Sequence, residues 1–511
     1  MFSENASQHM PPFPESFWRS NLELPSFPKL EKDIEVDISI VGGGIVGITS
    51  ANLLGKAGMK VALIDAGKIL TGTTGHTTAK ITAQHGLIYH ELMEHFGFEK
   101  ARGYYEANMS ALHFIRDTVL RHQIECDFTE EDAYLYTNTD SYISKLEKEM
   151  EAYEKLGIEG DYRNSIPIDI PVKAAVRMNT QGQFHPLKYL KKLLEETEHQ
   201  GAEIFENTTA VDIEQGNEIK VVARNGCTIS CKQVVIASHY PFYDGAGFYF
   251  ARMYPERSYL LAVKPQKTFS GGMYLMVEEP TRSLRYTLCD NEKILLVGGE
   301  RHKTGQGIST IHHYEALQKY AEETFGINEF LYRWSAQDWT TLDKVPFIGR
   351  ITSEKPNIYV ATGFRKWGMT NGTAAAQLIS DLILEKPNPY EELFTPSRFN
   401  VDPSVKTLIR ENTNVAGHLL KGKWESPLKT VDDLQTDEGS VIRVNGKRAG
   451  AYKDKNQNVY MVDTTCRHMG CEVEWNSGDR TWDCPCHGSR YSVTGEVLEG
   501  PAKQPLNKVE E

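Results

Sequence analysis

The chain has 511 residues, 40% of them hydrophobic, a net charge of −13 and eight cysteines. That length exceeds one ordinary domain and implies two or three. The negative balance argues against a nucleic-acid partner, whose phosphates call for a basic face. Eight cysteines in such a length are not a disulfide scaffold. The N-terminus, MFSENASQHM, has neither the basic n-region nor the apolar h-region of a signal peptide. The longest apolar run, around ISIVGGGIVGI, is too short and too glycine-rich to span a bilayer. The expectation is a cytoplasmic chain, at most peripheral to a membrane.

In chain order, the first informative stretch is DISIVGGGIVGITSANLLGKAGMKVALIDAG, Asp37 to Gly67. Ile38, Ile40 and Val41 read as a buried strand, and Gly42-x-Gly44-x-x-Gly47 turns into a helix. Gly42 permits the tight turn and Gly44 a close approach of pyrophosphate. Gly47 lets helix pack on strand, and the helix N-terminus faces the phosphates. KVALID is a second strand, ending at Asp65, which is placed for a ribose hydroxyl pair. Strand, helix, second strand and terminal acid together make this a dinucleotide site rather than a lone glycine motif. TGTTGHTTAKITAQHG, Thr71 to Gly86, adds small polar residues able to wrap a second phosphate and an isoalloxazine ring. A helix is expected after Pro186, and strands over 202–205 and 233–238. The runs RSYLLAVKP, GGMYLMVEE and KILLVGGE read as further strands. In NIYVATGFRKWGMTNGTAAAQLISDLI a strand ends at Thr362 and a helix begins near Gly372, its N-terminus available to negative charge on a reduced ring.

These segments, in this order, resemble the FAD-dependent D-amino-acid oxidase and sarcosine dehydrogenase superfamily, over about Asp33 to Leu393. The resemblance implies a split Rossmann-type α/β FAD domain with an interleaved antiparallel substrate-binding sheet. It implies cofactor contacts at Gly42, Gly44, Gly47, Asp65, His76, Gly363, Gly368, Met369 and Thr370. GTTGH is similar to the GTTWH pattern of dimethylglycine and sarcosine dehydrogenases, whose histidine carries the flavin covalently. Here Gly75 replaces the tryptophan, so His76 is either the anchor or a residue lining the FAD groove. Arg365 and Lys366, in the turn before the last helix, are the candidates for holding a substrate carboxylate; a solvated or phosphate-contacting pair is the plainer reading. Tyr259 and Tyr286 could line the pocket; generic core or surface tyrosines is the plainer reading. Cys227 and Cys231 read as ordinary strand cysteines, and His312-His313 as surface.

FTPSRFNVDPSVKTLIRENTNVAG, with Pro396 and Pro403, reads as a linker with a helical middle. Beyond it, TTCRHMGC and CPCHGSRY crowd four cysteines and two histidines into the last tenth of the chain. Cys466-x-His468 and Cys484-x-x-His487 are two arms, each offering one thiolate and one imidazole. Zinc would accept such a set, as would a [2Fe-2S] cluster with one iron on two thiolates and the other on two imidazoles. The Cys-His, Cys-His order, the spare cysteines and the flanking Gly470, Pro485 and Gly488 favour the cluster. C-x-H-x-G-C followed by C-P-C-H-G-S is the signature of the Rieske family, which this region resembles from about Leu428 onward. The resemblance implies Cys466 and Cys484 on one iron, His468 and His487 on the other, and a Cys471–Cys486 disulfide in a small all-β domain. Disulfides are rare in the cytosol, so either the pair is shielded enough to stay oxidised or it remains as two thiols. In the high-potential Rieske proteins, residues matching Ser489 and Tyr491 donate hydrogen bonds to sulfur.

The expected organisation is an FAD-dependent oxidoreductase domain over 33–395, a linker over 396–427 and a Rieske domain over 428–511. A flavin accepts two electrons and a Rieske cluster takes one at a time. The fusion therefore reads as a flavoprotein dehydrogenase for a small amine, amino acid or hydroxy acid. Electrons would pass from FAD to the cluster and on to an external acceptor, a protein or a quinone. The alternatives are a non-catalytic electron carrier or redox sensor, and a reductase with cluster-to-flavin flow. A Rieske oxygenase is disfavoured, because there the cluster precedes a two-His-one-carboxylate iron site, and no such triad stands out here.

Overall fold

A computed structural model describes residues 10–216, 218–398, 401–424 and 429–509. The N-terminal decapeptide, apart from Met10, and the expected 427/428 domain boundary lie outside these residues.

The nucleotide layer is a six-stranded sheet in the order 347–350, 358–362, 233–236, 38–41, 61–64, 203–205. All neighbours are parallel except 347–350. Ile38–Val41 and Val61–Ile64 are buried along their whole length, as expected of strands covered on both faces. The strand expected over 202–205 is Glu203–Phe205, and that over 233–238 is Gln233–Ile236. Helix Pro186–His199 begins at its proline, where the missing N–H costs nothing. The late helix begins at Gly368, not near Gly372. Gly372 lies inside it, where a Cβ would stand 2.9 Å from Ile45 Cγ2, so that glycine serves the close approach of this helix to helix Ile45–Lys56.

The second layer is a nine-stranded sheet including 129–137, 174–183, 253–265, 282–289, 292–303 and 327–341. It is antiparallel except where 273–276 runs parallel to 129–137, a departure from the purely antiparallel expectation. Its strands alternate. Leu260, Ala262, Ile294, Leu296 and Trp334 join the core shared with the nucleotide layer. Tyr259, Leu261, Val263, Leu295 and Val297 join the opposite face, covered by helix Ile311–Phe325.

Among its described residues the linker holds one helix, Val401–Trp424. After it come a three-stranded sheet (438–444, 447–453, 459–462) and a four-stranded sheet (474–476, 481–483, 490–491, 497–499), around a core of Val473, Trp482 and Tyr491. Among the described residues no helix is long and apolar enough to cross a membrane.

Candidate functional site

The first site lies at the carboxyl ends of the parallel strands, where α/β sheets bind ligands. Gly42 has φ +118° and a Cβ there would stand 2.4 Å from Ala237 O; at Gly47 it would stand 1.9 Å from Gly42 O. Both positions therefore demand glycine. Asp65 accepts from Gly43 N at 2.7 Å and Gly67 N at 2.8 Å. These bonds orient its carboxylate, while burial pushes its pKa up. Gly363 has φ +78°, and its Cβ position is blocked by Thr341 Cγ2 at 2.5 Å. Gly368 opens the late helix with nothing within 4 Å of its Cβ position. Met369 and Thr370 follow in the first turn, both buried. The Asn371 amide is buried with neither its Nδ2 nor its Oδ1 hydrogen-bonded. Open space at Gly368 and an orphaned amide in the first helical turn fit a polar ring edge laid across the helix start. Together with the glycine turn and Asp65, these residues fit FAD.

His76 ends a short 3₁₀ turn, Thr73–His76. Its Nδ1 donates to Gly72 O at 2.8 Å, leaving the Nε2 lone pair free. Burial holds the imidazole neutral, with a pKa lowered to about 4. A Cβ on Gly75 would stand 2.5 Å from Leu70 O and 3.2 Å from Arg19 Cδ. The tryptophan of the related pattern therefore has no room. The N-terminal segment occupies its place, held by Ser16 Oγ donating to Gly75 O and Trp18 Nε1 donating to Thr77 O.

Arg365 and Lys366 differ in their surroundings. Lys366 Nζ donates to Ser258 Oγ and pairs with Asp338 at 3.1 Å, so its charge is already met. Arg365, at φ +56°, donates through Nη2 to His85 O at 3.0 Å, and its Nη1 is buried without a partner. His85 escaped the sequence reading, although it lies in the quoted Thr71–Gly86 stretch. It is buried and stacks on Trp367 with ring centroids 4.9 Å apart. Its Nε2 faces Thr82 O at 2.7 Å and its Nδ1 faces Tyr104 Oη at 2.7 Å, which makes Nε2 the protonated nitrogen.

For Tyr259 and Tyr286 the plainer core reading holds, and one expectation, that His313 is a surface residue, needs correction. Tyr259 does not face the nucleotide layer: it packs under helix Ile311–Phe325, its Oη 2.8 Å from His302 Nε2. Tyr286 lies on the same face, donating to Glu131. His313 is not a surface residue; it is buried, stacking on His302 and Tyr259, whereas its neighbour His312 is exposed and paired with Glu315. Cys227 and Cys231 are free thiols.

The second site is built from two matched loops. Gly470 N donates to Cys466 O and Gly488 N to Cys484 O, each at 3.0 Å, with φ of +76° and +68° at the two glycines. The loops are joined by the Cys471–Cys486 disulfide, S–S 1.97 Å. Cys484 lies with those two sulfurs inside 4.8 Å, but their mutual bond removes them as ligands. Cys466 and Cys484 remain as thiols. Contact with Cys484 lowers the Cys466 pKa, helped by the Tyr491 hydroxyl and opposed by burial. The His468 and His487 rings meet with centroids 4.9 Å apart. Burial, above all, lowers both to about 4, so both are neutral. His468 Nδ1 is buried with no hydrogen-bond partner. Two thiols, two neutral imidazoles and an orphaned ring nitrogen fit the Rieske ligand set. Ser489 Oγ accepts from Ala502 N at 3.0 Å, and Tyr491 Oη lies 3.2 Å from Cys466 Sγ.

Comparison with known proteins agrees with both sites. Residues 37–382 match the family described as FAD dependent oxidoreductase, and residues 425–510 match the Rieske [2Fe-2S] domain. YhfW of Bacillus subtilis (strain 168), named as a Rieske 2Fe-2S iron-sulfur protein, is 50% identical over 97% of this chain and 98% of its own. Gamma-glutamylputrescine oxidoreductase of Escherichia coli (strain K12) is 23% identical over 70% of this chain and 85% of its own. The crystal structure of glycine oxidase from Geobacillus kaustophilus shares the fold with a TM-score of 0.61 at 18% identity, over 72% of this chain and 99% of that one. The chain belongs to the FAD dependent oxidoreductase family and carries a C-terminal Rieske [2Fe-2S] domain.

Proposed function

We propose that the protein is a dehydrogenase that oxidises a small carboxylate-bearing amine or amino acid, passing electrons from its FAD module to its Rieske module and on to an external acceptor. FAD supplies a two-electron hydride acceptor and the cluster a one-electron acceptor. The observation that carries the substrate class is the Arg365 guanidinium, with one buried nitrogen lacking any partner while the adjacent Lys366 is neutralised by Asp338. A buried guanidinium nitrogen without a partner is costly unless an acceptor completes it, and a substrate carboxylate matches the guanidinium fork. His85 receives the Arg365 Nη2 bond on its carbonyl and stacks on Trp367, holding the guanidinium in place. Oxidation of amino acids is also what the glycine oxidase sharing this fold is named for.

The test is anaerobic mixing with N-methylated glycines, other amino acids, 2-hydroxy acids and the corresponding amines lacking a carboxylate. Bleaching of the flavin by carboxylate-bearing amines, followed by the reduced-cluster electron paramagnetic resonance (EPR) signal, is the expected result. Bleaching only by NADH or a reduced partner protein would instead make the chain a carrier or a reductase.

A further inference from the structure

The Rieske module is seated against the substrate sheet and also touches the nucleotide-binding half, where Lys503 Nζ donates to Val211 O and Arg224 donates to Lys503 O. Arg257, 0% exposed, reaches three Rieske carboxylates: Asp479 at 3.2 Å, Glu499 at 3.5 Å and Asp483 at 4.0 Å. Arg490 binds the same three from the Rieske side, at 3.2, 2.6 and 3.1 Å. Two buried cations thus hold three carboxylates, of which Asp479 and Asp483 are buried and Glu499 is half-buried. Nearby, Arg333 donates to Gly478 O, Tyr314 to Asp479, and Gln306 to Pro485 O inside the second ligand loop.

Strand Ile327–Thr341 is the wall between the modules. Gln337 donates to Gly488 O at 2.9 Å, next to His487, with its own amide oxygen fixed by Thr304 at 2.7 Å. The next residue, Asp338, points to the other face and holds Lys366 beside Arg365. A Cβ on Gly488 would stand 2.7 Å from Pro255, and one on Gly305 would stand 2.7 Å from Pro485 N. At both points backbone meets the other module without room for a side chain.

The two imidazoles differ accordingly. His487 is buried against Phe250, ring centroids 6.1 Å apart. The cavity beside it is about 20 Å³, room for a single water. His468 is half-buried, with Lys503 and Asp244 nearby, and is flanked by exposed Arg467 and by Met469, which is 52% exposed.

The linker is no loose tether. Glu411 pairs with Lys303, Asn414 bonds Gln306, and Val415 and Leu419 pack into the Rieske core.

We propose that Arg257 and Gln337 are positioning residues that hold the Rieske module in one permanent pose, His487 inward and His468 outward, so that the cluster is served without any excursion of the head. The purpose of this pose rests on the electron flow proposed above; the pose itself rests on these contacts alone.

Ser309 Oγ lies 2.7 Å from Ser477 Oγ across the interface, close enough for a cysteine pair to bridge. The Ser309→Cys/Ser477→Cys holoprotein, oxidised, should lose two hydrogens by mass. It should keep its cluster EPR spectrum and reduce its cluster from photoreduced flavin within twofold of the wild-type rate. Failure to bridge, or a tenfold slower cluster reduction on bridging, overturns the proposal.

Arg257→Gln should raise amide exchange across residues 476–490 at least tenfold and enlarge the radius of gyration, with FAD content unchanged. Gln337→Ala should raise exchange at the ligand loop alone. Wild-type protection in both variants also overturns the proposal. A wild type whose cluster is never reduced by flavin refutes the electron-flow reading, while bridge formation and exchange still decide the pose.

Discussion

The Tyr491 hydroxyl is placed to set the potential of the cluster. Its oxygen accepts from Arg467 N at 3.1 Å, so its own proton is free for Cys466 Sγ at 3.2 Å. The phenol is fully buried, and burial, then the nearby Cys466, raises its pKa. It therefore stays protonated and donates at every working pH. A donor to sulfur favours the reduced, more negative cluster and raises the potential. A hydrogen bond to a charged group is worth about 1.5–3 kcal/mol. If a third to a half of that distinguishes the two redox states, Tyr491→Phe lowers the potential by roughly 20–65 mV, since 59 mV is tenfold for one electron. Redox titration monitored by EPR measures the shift, with iron and acid-labile sulfide assays to establish intact clusters. An unchanged or higher potential in a fully loaded variant would refute the reasoning. Ser489→Ala, whose oxygen is pinned by Ala502 N, should shift it in the same direction.

Arg365→Met removes a charged donor pair and should weaken binding of small carboxylates by about 10–150-fold, the equivalent of ~1.5–3 kcal/mol. Flavin absorbance changes on titration measure this, and an equal loss for the neutral amide analogue would sink the assignment. If His76 Nε2 carries the flavin, acid precipitation leaves yellow colour in the pellet and His76→Ala releases it; free FAD in the wild-type supernatant rejects the bond. Lys80 is buried, donating to Tyr274 O at 2.9 Å and Ser283 Oγ at 2.8 Å, and burial, with Arg285 nearby, lowers its pKa from 10.5 to about 7. A depressed folded pKa contributes stability above the unfolded value that is lost as pH falls through the folded one. The melting-temperature advantage of Lys80→Met should therefore grow from pH 10 down to about 7 and level off below; a constant gap contradicts the burial argument.

Both cofactor sites were legible because their chemistry is local. Gly42, Gly44, Gly47 and Asp65 lie within one βαβ unit, and each Cys-His arm spans a few residues of chain. Arg257 and Gln337 were invisible for the converse reason: their partners lie 222 and 151 residues away, and nothing nearby marks a strand arginine as an interface residue. The facing of Tyr259 was not legible, because it depends on register and the pairing of 253–265 with 292–303 slips between Arg257 and Tyr259. His313 looked like surface because its helix is polar; its stacking partners come from distant strands. The helix start was read late because Gly372 resembles a boundary, when its glycine answers to Ile45 on another helix.

The linker helix blurs the line that family boundaries draw. The matched Rieske segment begins at residue 425, yet Val415 and Leu419 pack into its core and Val415 O lies 3.9 Å from Cys486 Sγ. A fragment cut at that line would expose apolar core surface and the flank of its own disulfide. Here a helix between the two matched family segments has become part of the packing of the Rieske half. A graft of the Rieske module onto another flavoprotein must therefore carry the helix with it.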